Sequence, residues 1–407
     1  MPEAVIVAAA RTPIGRAFKG SLTGVRPDDL AATVVSAALA KVPELDPALV
    51  DDLYLGCAEP WGEHGSNMAR VVAVLTGHDG LPGSTVNRFC ASSVQTTRMA
   101  FHAIKAGEGE VFVSAGVEMV SRYAAFAGAG QSKDDWLNPR FDDARRRTAR
   151  TAVDDSDWSD PREHGNLPDI YLAMGQTAEN VAHLRSVSRQ AQDEWAVLSQ
   201  NRAEKAQADG FFAREITPVT LPDGSVMDTD DSPRAGTTLE GIGGLKPVFR
   251  EGGTVTAGNA CPLNDGAAAL VVMSDTRAAE LGVTPLARVV STGVSALSPE
   301  IMGLGPIEAS RQALARAGMT VADMDLVEIN EAFAAQVLPS ADELGVDHDR
   351  LNVHGGAIAL GHPFGMTGAR ITTTLLNGLA TRDGQLGLET MCVGGGQGMA
   401  IIFERLS

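Results

Sequence analysis

Residues 86–100 read VNRFCASSVQTTRMA. A β-branched pair, Thr85 and Val86, leads into a short polar turn, and a run with helical character follows from Ala91 onward. Cys90 therefore falls at the start of a helix. Unpaired backbone N–H groups and the positive end of the macrodipole favour an anion there. A thiol in that place is expected to have a lowered pKa and to exist partly as thiolate, the nucleophilic form. Ser92 and Ser93 add hydroxyls in the first turn. The alternative is a small buried hydrophobe, the usual fate of a cysteine. The stretch alone leaves both readings open.

Outward from this turn, strand and helix patterns alternate. Residues 5–8, 53–55, 84–86 and 111–115 are strand candidates, and 28–40, 67–76 and 91–107 have helical spacing. From about residue 254 the alternation returns. Residues 287–294, 326–329, 387–393 and 399–403 read as strands, 306–317 as a helix, and 266–273 as a buried strand or a helix entry. A helix is expected to start in 330–338, and a glycine-rich turn and then a helix in 355–376. Such alternation argues for a mainly parallel α/β sheet. Between residues 121 and 244 the character changes. Residues 134–161 are dense in Asp, Arg, Ser and Trp without clean periodicity, 177–209 form a charged amphipathic helix region, and 221–245 are rich in Gly, Pro and Asp. This section reads as an inserted lobe with long loops, a usual carrier of substrate contacts.

The second half echoes the first. Residues 52–57 (DLYLGC) resemble 325–330 (DLVEIN), and 113–116 (VSAG) resemble 391–394 (MCVG). A spacing this long means duplicated domains rather than a solenoid. Cys90 and His362 are then expected at matching places, each at a helix start, with both helix N-termini facing one shared site.

The 407 residues amount to roughly two to three domains of about 150 residues. With 33 basic and 51 acidic residues the formal charge is −18, which argues against nucleic acid and anionic membrane surfaces as partners. An anionic ligand would need a local basic pocket. The cysteines, Cys57, Cys90, Cys261 and Cys392, lie far apart, with no CxxC pair, so zinc-ribbon and thioredoxin-like sites are excluded on spacing, and no metal-binding spacing is present. Few, scattered thiols suit a reducing cytosol, so a cytoplasmic location is expected. No apolar run reaches the roughly 18 residues of a membrane span. Residues 4–10 are apolar but lack the basic flank of a signal peptide, and the C-terminal Arg-Leu-Ser is not a peroxisomal address.

Three further stretches carry chemistry. Asn330-Glu331-Ala332-Phe333-Ala334 follows a strand. His362 sits between Gly361 and Pro363, a poor packing position and a good one for a base that must reach a thiol. Cys392 precedes Gly394-Gly395-Gly396, whose backbone N–H groups can approach a ligand as an oxyanion site requires. Taken together, VNRFCASS, TAGNACPLNDGAA, NEAFA, GGAIALGHPFGMTGAR and CVGGGQG appear in one order along almost the whole chain, from Val5 to Glu404. In this the chain resembles the thiolase family, enzymes that cleave 3-ketoacyl-CoA or condense two acetyl-CoA units.

The resemblance implies an α/β fold of duplicated βαβαβαββ halves in a five-layered α-β-α-β-α core with an inserted loop lobe. It divides the chain into residues 1–120, completed by about 245–275, a lobe at 121–244 for substrate and coenzyme A, and a second half at 276–407. It implies that Cys90 is the acylated nucleophile and His362 the base that activates it. Cys392 would move the proton on the acetyl-CoA α-carbon. Asn330 would position a water beside His362 in one oxyanion hole, and the N–H groups of Cys90 and Gly394 would form the second. Arg234 would lie near the coenzyme A adenine, Met174 along the pantetheine, and Cys261 in the segment that touches coenzyme A. Coenzyme A is implied as a co-substrate with no permanently bound cofactor, and a homodimer or homotetramer as the assembly. The implied activity is thiolytic cleavage of the β-oxidation type, with acetoacetyl-CoA formation as the alternative.

The chain departs from the family pattern in places. Cys261 stands where many members have serine, Pro262 replaces a glycine, and His354 replaces an asparagine, either as support for the site or as a tolerated change. Ala173 precedes Met174 where the acetoacetyl-specific branch commonly has histidine, which favours a roomier acyl pocket. A ketoacyl-synthase type enzyme would lack Cys392. A non-catalytic lipid binder would be expected to lose Cys90, His362 or Cys392. A cysteine hydrolase would leave the duplicated halves unexplained.

Overall fold

A computed structural model describes residues 1–127, 137–154 and 158–407. The long strands are β1 (Ala4–Arg11), β2 (Asp52–Gly56), β3 (Gly83–Val86), β4 (Val111–Met119), β5 (Asn264–Ser274), β6 (Ala287–Ala296), β7 (Leu326–Ile329), β8 (Leu386–Val393) and β9 (Gln397–Arg405). With the two-residue strand Gly15–Arg16 on β5, they join one ten-stranded sheet in the order β7-β8-β9-β6-β1-β5-β4-β2-β3. Residues 266–273 thus lie within a strand. β1 and β6 meet at only two pairs, Val5 with Arg288 and Ile6 with Ala287, so the sheet is two sheets hinged at an edge. The parallel pairs are β2 with β3 and β4, and β7 with β8; the other pairs of long strands are antiparallel. The expected mainly parallel sheet is therefore a mixed one. The antiparallel share comes from β1, β5, β6 and β9, which stand in the middle of the order.

The longer helices are α1 (Pro27–Ala40), α2 (Met68–Leu75), α3 (Ser92–Ala106), α4 (Val120–Ala127), α5 (Asp142–Asp154), α6 (Met174–Leu184), α7 (Arg189–Ala208), α8 (Gly305–Ala317), α9 (Ala334–Leu344) and α10 (Thr367–Arg382). Strands buried on both faces sort their side chains by parity. On β5, Ala267, Ala269, Val271 and Met273 pack with Leu30, Val34 and Val35 of α1 and Val72 of α2. Ala268, Leu270 and Val272 point the other way, into a core shared by Val94 and Ile104 of α3 and Ile371, Leu375 and Leu379 of α10. On β9, Met399, Ile401 and Phe403 enter that central core, while Ala400 and Ile402 meet Ala313 of α8 and Val337 of α9. The result is the expected five-layered α-β-α-β-α core, with α3 and α10 in the middle.

The duplication is visible in hydrogen bonds, one residue off the string match. Asp51 Oδ2 accepts from the N–H groups of Glu110 and Val111 at 2.7 and 2.9 Å. Asp325 Oδ2 accepts from Gln385 and Leu386 at the same distances. Asp51, not Asp52, is therefore the counterpart of Asp325. Five residues on, Gly56 rather than Cys57 matches Asn330. Val111 matches Leu386, so 113–116 and 391–394 are not equivalent either. The counterpart of β3 is reduced to a single parallel bridge between Val327 and Leu351. The link from Leu351 to α10 is longer than that from β3 to α3, and it carries a short helix, Ala357–Leu360. His362 thus sits five residues before its helix and Cys90 two before its own, so the two do not occupy matching places. The helices still meet at their first turns. Ser93 Oγ accepts from Ala369 N–H at 3.0 Å, and a Cβ on Gly368 would lie 2.5 Å from Val94 N.

The lobe is more regular than its composition suggests. Residues 142–154 form α5, and the charged region after 174 is two helices split near Ser186, which has φ 53°. Residues 134–136 and 155–157 lie outside the described residues.

Candidate active site

The turn carrying Cys90 is tied down by its own polar side chains. Asn87 Oδ1 accepts from Phe89 N–H at 2.8 Å, and Asn87 Nδ2 donates to Ala58 O at 2.9 Å. Ser92 Oγ accepts from Arg88 N–H at 2.9 Å and donates to Phe89 O at 2.6 Å. These bonds hold Phe89 at φ 44°, a left-handed conformation that costs a non-glycine residue about 1–3 kcal/mol. Cys90 follows in a 3-10 turn, Phe89–Ala91, at the head of α3. Arg88 Nη1 donates to Gln397 Oε1 at 2.8 Å, fixing this turn to the start of β9.

The lowered thiol pKa expected from the helix start is overturned. Cys90 is buried, and burial pushes its thiol up to about 12. The N–H groups of Gly394 and of Cys90 itself face the sulfur and work in the opposite direction, but they do not offset the desolvation. At rest Cys90 is a thiol.

His362 is positioned at both ends. Its backbone N–H donates to Asn264 Oδ1 at 3.0 Å, and Asn264 Nδ2 donates to Gly15 O and Ser232 Oγ. Gly361, at φ 108°, lets Asn264 sit where a Cβ would be 2.5 Å from Asn264 Cγ. Thr367 Oγ1 donates to Pro363 O at 2.8 Å, so its lone pair is what meets His362 Nδ1 at 2.7 Å. That network assigns the proton to Nδ1 and leaves a lone pair on Nε2. Nε2 lies 3.3 Å from Asn330 Nδ2. Burial pushes His362 down to about 3, with the Arg370 charge acting in the same direction. The ring is therefore neutral at working pH.

Asn330 follows β7, and its Oδ1 is buried with no partner among the described residues. Such an atom awaits a water or a ligand. Glu331 anchors this turn. Its carboxylate accepts from Trp195 Nε1, Ser199 Oγ, Asn352 Nδ2 and Ile358 N–H at 2.6–3.1 Å. Cys392, at the end of β8, is fully buried in a cluster with Ala260, Met302, Ala332 and Phe333, and Met174 packs against it. Cys392 interacts electrostatically with Cys90 first and then Cys261, and burial holds its thiol well above the ordinary range. Cys261 also faces Cys90, and its N–H donates to Ala332 O at 3.0 Å. Three thiols thus lie together with the Gly394 N–H on the Cys90 sulfur, and the imidazole of His362 pairs with the carboxamide of Asn330. Arg234 stands apart and exposed, its backbone N–H bonded to Gln200 Oε1 at 2.9 Å. Its segment borders the His362 loop through the Ser232–Asn264 bond.

The model for the thiolase N-terminal domain matches residues 4–276, and that for the thiolase C-terminal domain matches 283–405. The chain belongs to the thiolase family. A β-ketoadipyl-CoA thiolase of Escherichia coli is 43% identical over 421 residues, covering 100% of both chains. An acetyl-CoA acetyltransferase of Cupriavidus necator is 44% identical over 412 residues, again with 100% of each covered. The crystal structure of the Bacillus anthracis acetyl-CoA acetyltransferase superposes with a TM-score of 0.87 at 38% identity, covering 100% of this chain and 99% of that one. As a thiolase the protein is an acyltransferase that takes coenzyme A as a substrate and holds no permanent cofactor.

This thiolase relies on residues the motifs did not single out. Asn264 and Thr367 orient His362, and Glu331 braces Asn330. Glu118, at the end of β4, accepts from the N–H groups of Ala58 and Gly365. Their signal was faint in the sequence: a polar residue inside or beside a run that should be buried. His354 stacks on Phe211 with ring centroids 3.7 Å apart, a packing role. Cys57 lies beside Glu118, 3.9 Å from Oε1.

Proposed function

We propose that this thiolase cleaves 3-ketoacyl-CoA with coenzyme A, giving acetyl-CoA and a shortened acyl-CoA through an acyl–Cys90 thioester. The observation that carries the reading is the mutual contact of the buried thiols Cys90, Cys261 and Cys392, beside a buried neutral His362 bonded to Asn330. Cys90 Sγ attacks the 3-keto carbon while His362 Nε2 takes the thiol proton, because neither group is charged at rest. The carbon–carbon bond then breaks, and the acetyl-CoA carbanion takes a proton from Cys392. The Cys392 thiolate then deprotonates incoming coenzyme A, whose sulfur attacks the acyl–Cys90 carbonyl; Cys90 leaves as thiolate and regains its proton from the His362 imidazolium as the shortened acyl-CoA departs. The Cys90 and Gly394 N–H groups face the place where one oxyanion forms, and a water on Asn330 serves the other; one such donor is worth about 2.7–4 kcal/mol. Met174, Cys261 and Arg234 line the coenzyme A side in this reading. Acetoacetyl-CoA plus coenzyme A should give two acetyl-CoA; free acetoacetate instead would mark a hydrolase and overturn the assignment.

A β-oxidation role is the reading for the acyl chain, with acetoacetyl-CoA synthesis as the second. Ala173, the small N-cap residue of α6, leaves room beside Met174. 3-Ketohexanoyl-CoA or a longer ester should be cleaved with kcat/KM at least comparable to acetoacetyl-CoA. Relatives named for β-ketoadipyl-CoA make that ester a third member of the panel. Strict preference for the C4 ester would refute the roomier pocket. Four free thiols, Cys57, Cys90, Cys261 and Cys392, fit a reducing cytoplasm.

A homodimer is the proposed assembly. β3 ends the sheet with no strand on its outer side, where Asn67 bonds Thr85 N–H and Gly83 O. Next to it, Phe89, Val74 and Leu75 are exposed, and the Nε atoms of Arg88 and Arg98 are buried without partners among the described residues. A second copy would cover all of these. Val74→Glu, which puts a charge on that exposed apolar patch, should shift the protein toward monomer in analytical ultracentrifugation. A wild type that sediments as a monomer would refute the dimer.

A further inference from the structure

Glu118 makes no ion pair among the described residues. It lies on the last turn of a fully buried strand, at 0% exposure. Its Oε2 accepts from Ala58 N–H and Gly365 N–H, both at 2.9 Å, and its Oε1 from Glu59 N–H at 3.3 Å. Ala58 and Glu59 follow β2 in the first half. Gly365 belongs to the second half, three residues after His362 in the same loop. That loop is wedged into the first half with no slack. A Cβ on Gly365 would lie 2.5 Å from Val117 O and 2.7 Å from Gly56 O, and a Cβ on Gly116 would lie 2.0 Å from Gly365 O. The only bond from a side chain of the first half to this backbone N–H is that of Glu118.

We infer that Glu118 is a positioning residue whose ionised carboxylate, through Gly365 N–H, holds the His362 loop in working register against the first half. The inference rests on the proposed thiolase mechanism. An ionised carboxylate offers lone pairs on both oxygens to three N–H donors, in bonds roughly twice as strong as neutral ones. A protonated one spends an oxygen as a donor and leaves an N–H facing a proton. The groups around it are Cys57 and Glu59 from the segment after β2, Cys90 from the turn before α3 and Tyr123 from α4. Burial pushes Glu118 up to about 7 from 4.5, against the pull of its three N–H bonds, and the Glu59 charge adds to the rise. A raised carboxyl favours the neutral acid in the folded chain. Stability therefore falls as pH rises from about 4.5 through about 7, while the loop gains its full set of bonds over the same interval.

This assigns the neutral-pH limb of activity to Glu118. His362, held near 3, and Cys90, near 12, do not titrate there. The test is the pH profile of kcat/KM for thiolysis, from about pH 5.5 to 9. Wild type should rise with one limb centred near 7. Glu118→Gln, which presents an N–H₂ where the second oxygen was, should be lowered roughly 10–10²-fold at high pH and lose the limb. Glu118→Asp should regain a limb. A limb that persists in Glu118→Gln overturns the inference and leaves the thiolase reading intact; absence of thiolysis in the wild type overturns the reading itself. Hydrogen exchange of the Gly365 amide in the wild type decides independently of any variant. Protection should increase across pH 7 once the intrinsic rate is divided out, and flat protection would refute the clamp.

Discussion

Cys90→Ala should abolish thiolysis, by roughly 10⁴–10⁶-fold in kcat, the range reached when a covalent nucleophile or its partner is removed. The same change should erase labelling by [¹⁴C]acetyl-CoA, which in the wild type falls on the peptide carrying Cys90 and on no other. The magnitude follows from the chemistry. Breaking a carbon–carbon bond beside a thioester needs a nucleophile that adds and later leaves with ease, and sulfur does both. Cys261 and Cys392 are thiols in the same pocket, yet the N–H groups of Gly394 and Cys90 converge on the Cys90 sulfur alone among the three. Labelling that survives in Cys90→Ala unchanged would move the nucleophile to one of the other two.

Cys392→Ala should separate two half-reactions. Passage of an acetyl group between coenzyme A and Cys90 breaks no carbon–carbon or carbon–hydrogen bond, and needs Cys90, His362 and an oxyanion hole. The acetyl–Cys90 adduct should therefore still form from acetyl-CoA. Thiolysis and condensation also move a proton at the acetyl α-carbon, and should fall by the 10²–10⁴ of a general acid–base, about 3–5 kcal/mol. Exchange of the acetyl-CoA α-hydrogens with deuterium from solvent should stop. Cys392 also fills part of a buried cluster with Met302 and Phe333, so Cys392→Ser, nearly equal in volume, separates chemistry from packing. If Cys392→Ala folds normally and keeps near wild-type thiolysis, the second cysteine only packs the end of β8.

What could be read from the sequence was what is local. The strand–turn–helix around Cys90 is set by residues within a few positions of one another, and so are the 3.6-residue pattern of α1 and the turn after Cys392. The residues that brace the site are set across the chain. Glu118 acts on Gly365, 247 positions away, and Asn264 on His362, 98 away. Nothing near Glu118 in the sequence says which N–H groups it will meet. The Cys90 pKa went wrong for the same reason: the helix start is local and lowers it, while the burial that raises it comes from the other half. The duplication was legible, but its register was not, because a one-residue slip hides in apolar strings and shows only when Asp51 and Asp325 bind equivalent N–H groups.

The two ends of the sheet are closed alike. At the β7 end, Asn352 closes the edge: its Oδ1 accepts from Ile329 N–H and its Nδ2 donates to Ile329 O, both at 2.9 Å, while its own N–H donates to Val327 O. At the β3 end Asn67 does the same on the outward side: its Oδ1 accepts from Thr85 N–H at 3.1 Å and its Nδ2 donates to Gly83 O at 2.9 Å. A ribbon with two free edges can add copies without limit and become a filament. Here one carboxamide at each end takes the groups an incoming strand would use, and the molecule is guarded against open-ended polymerisation.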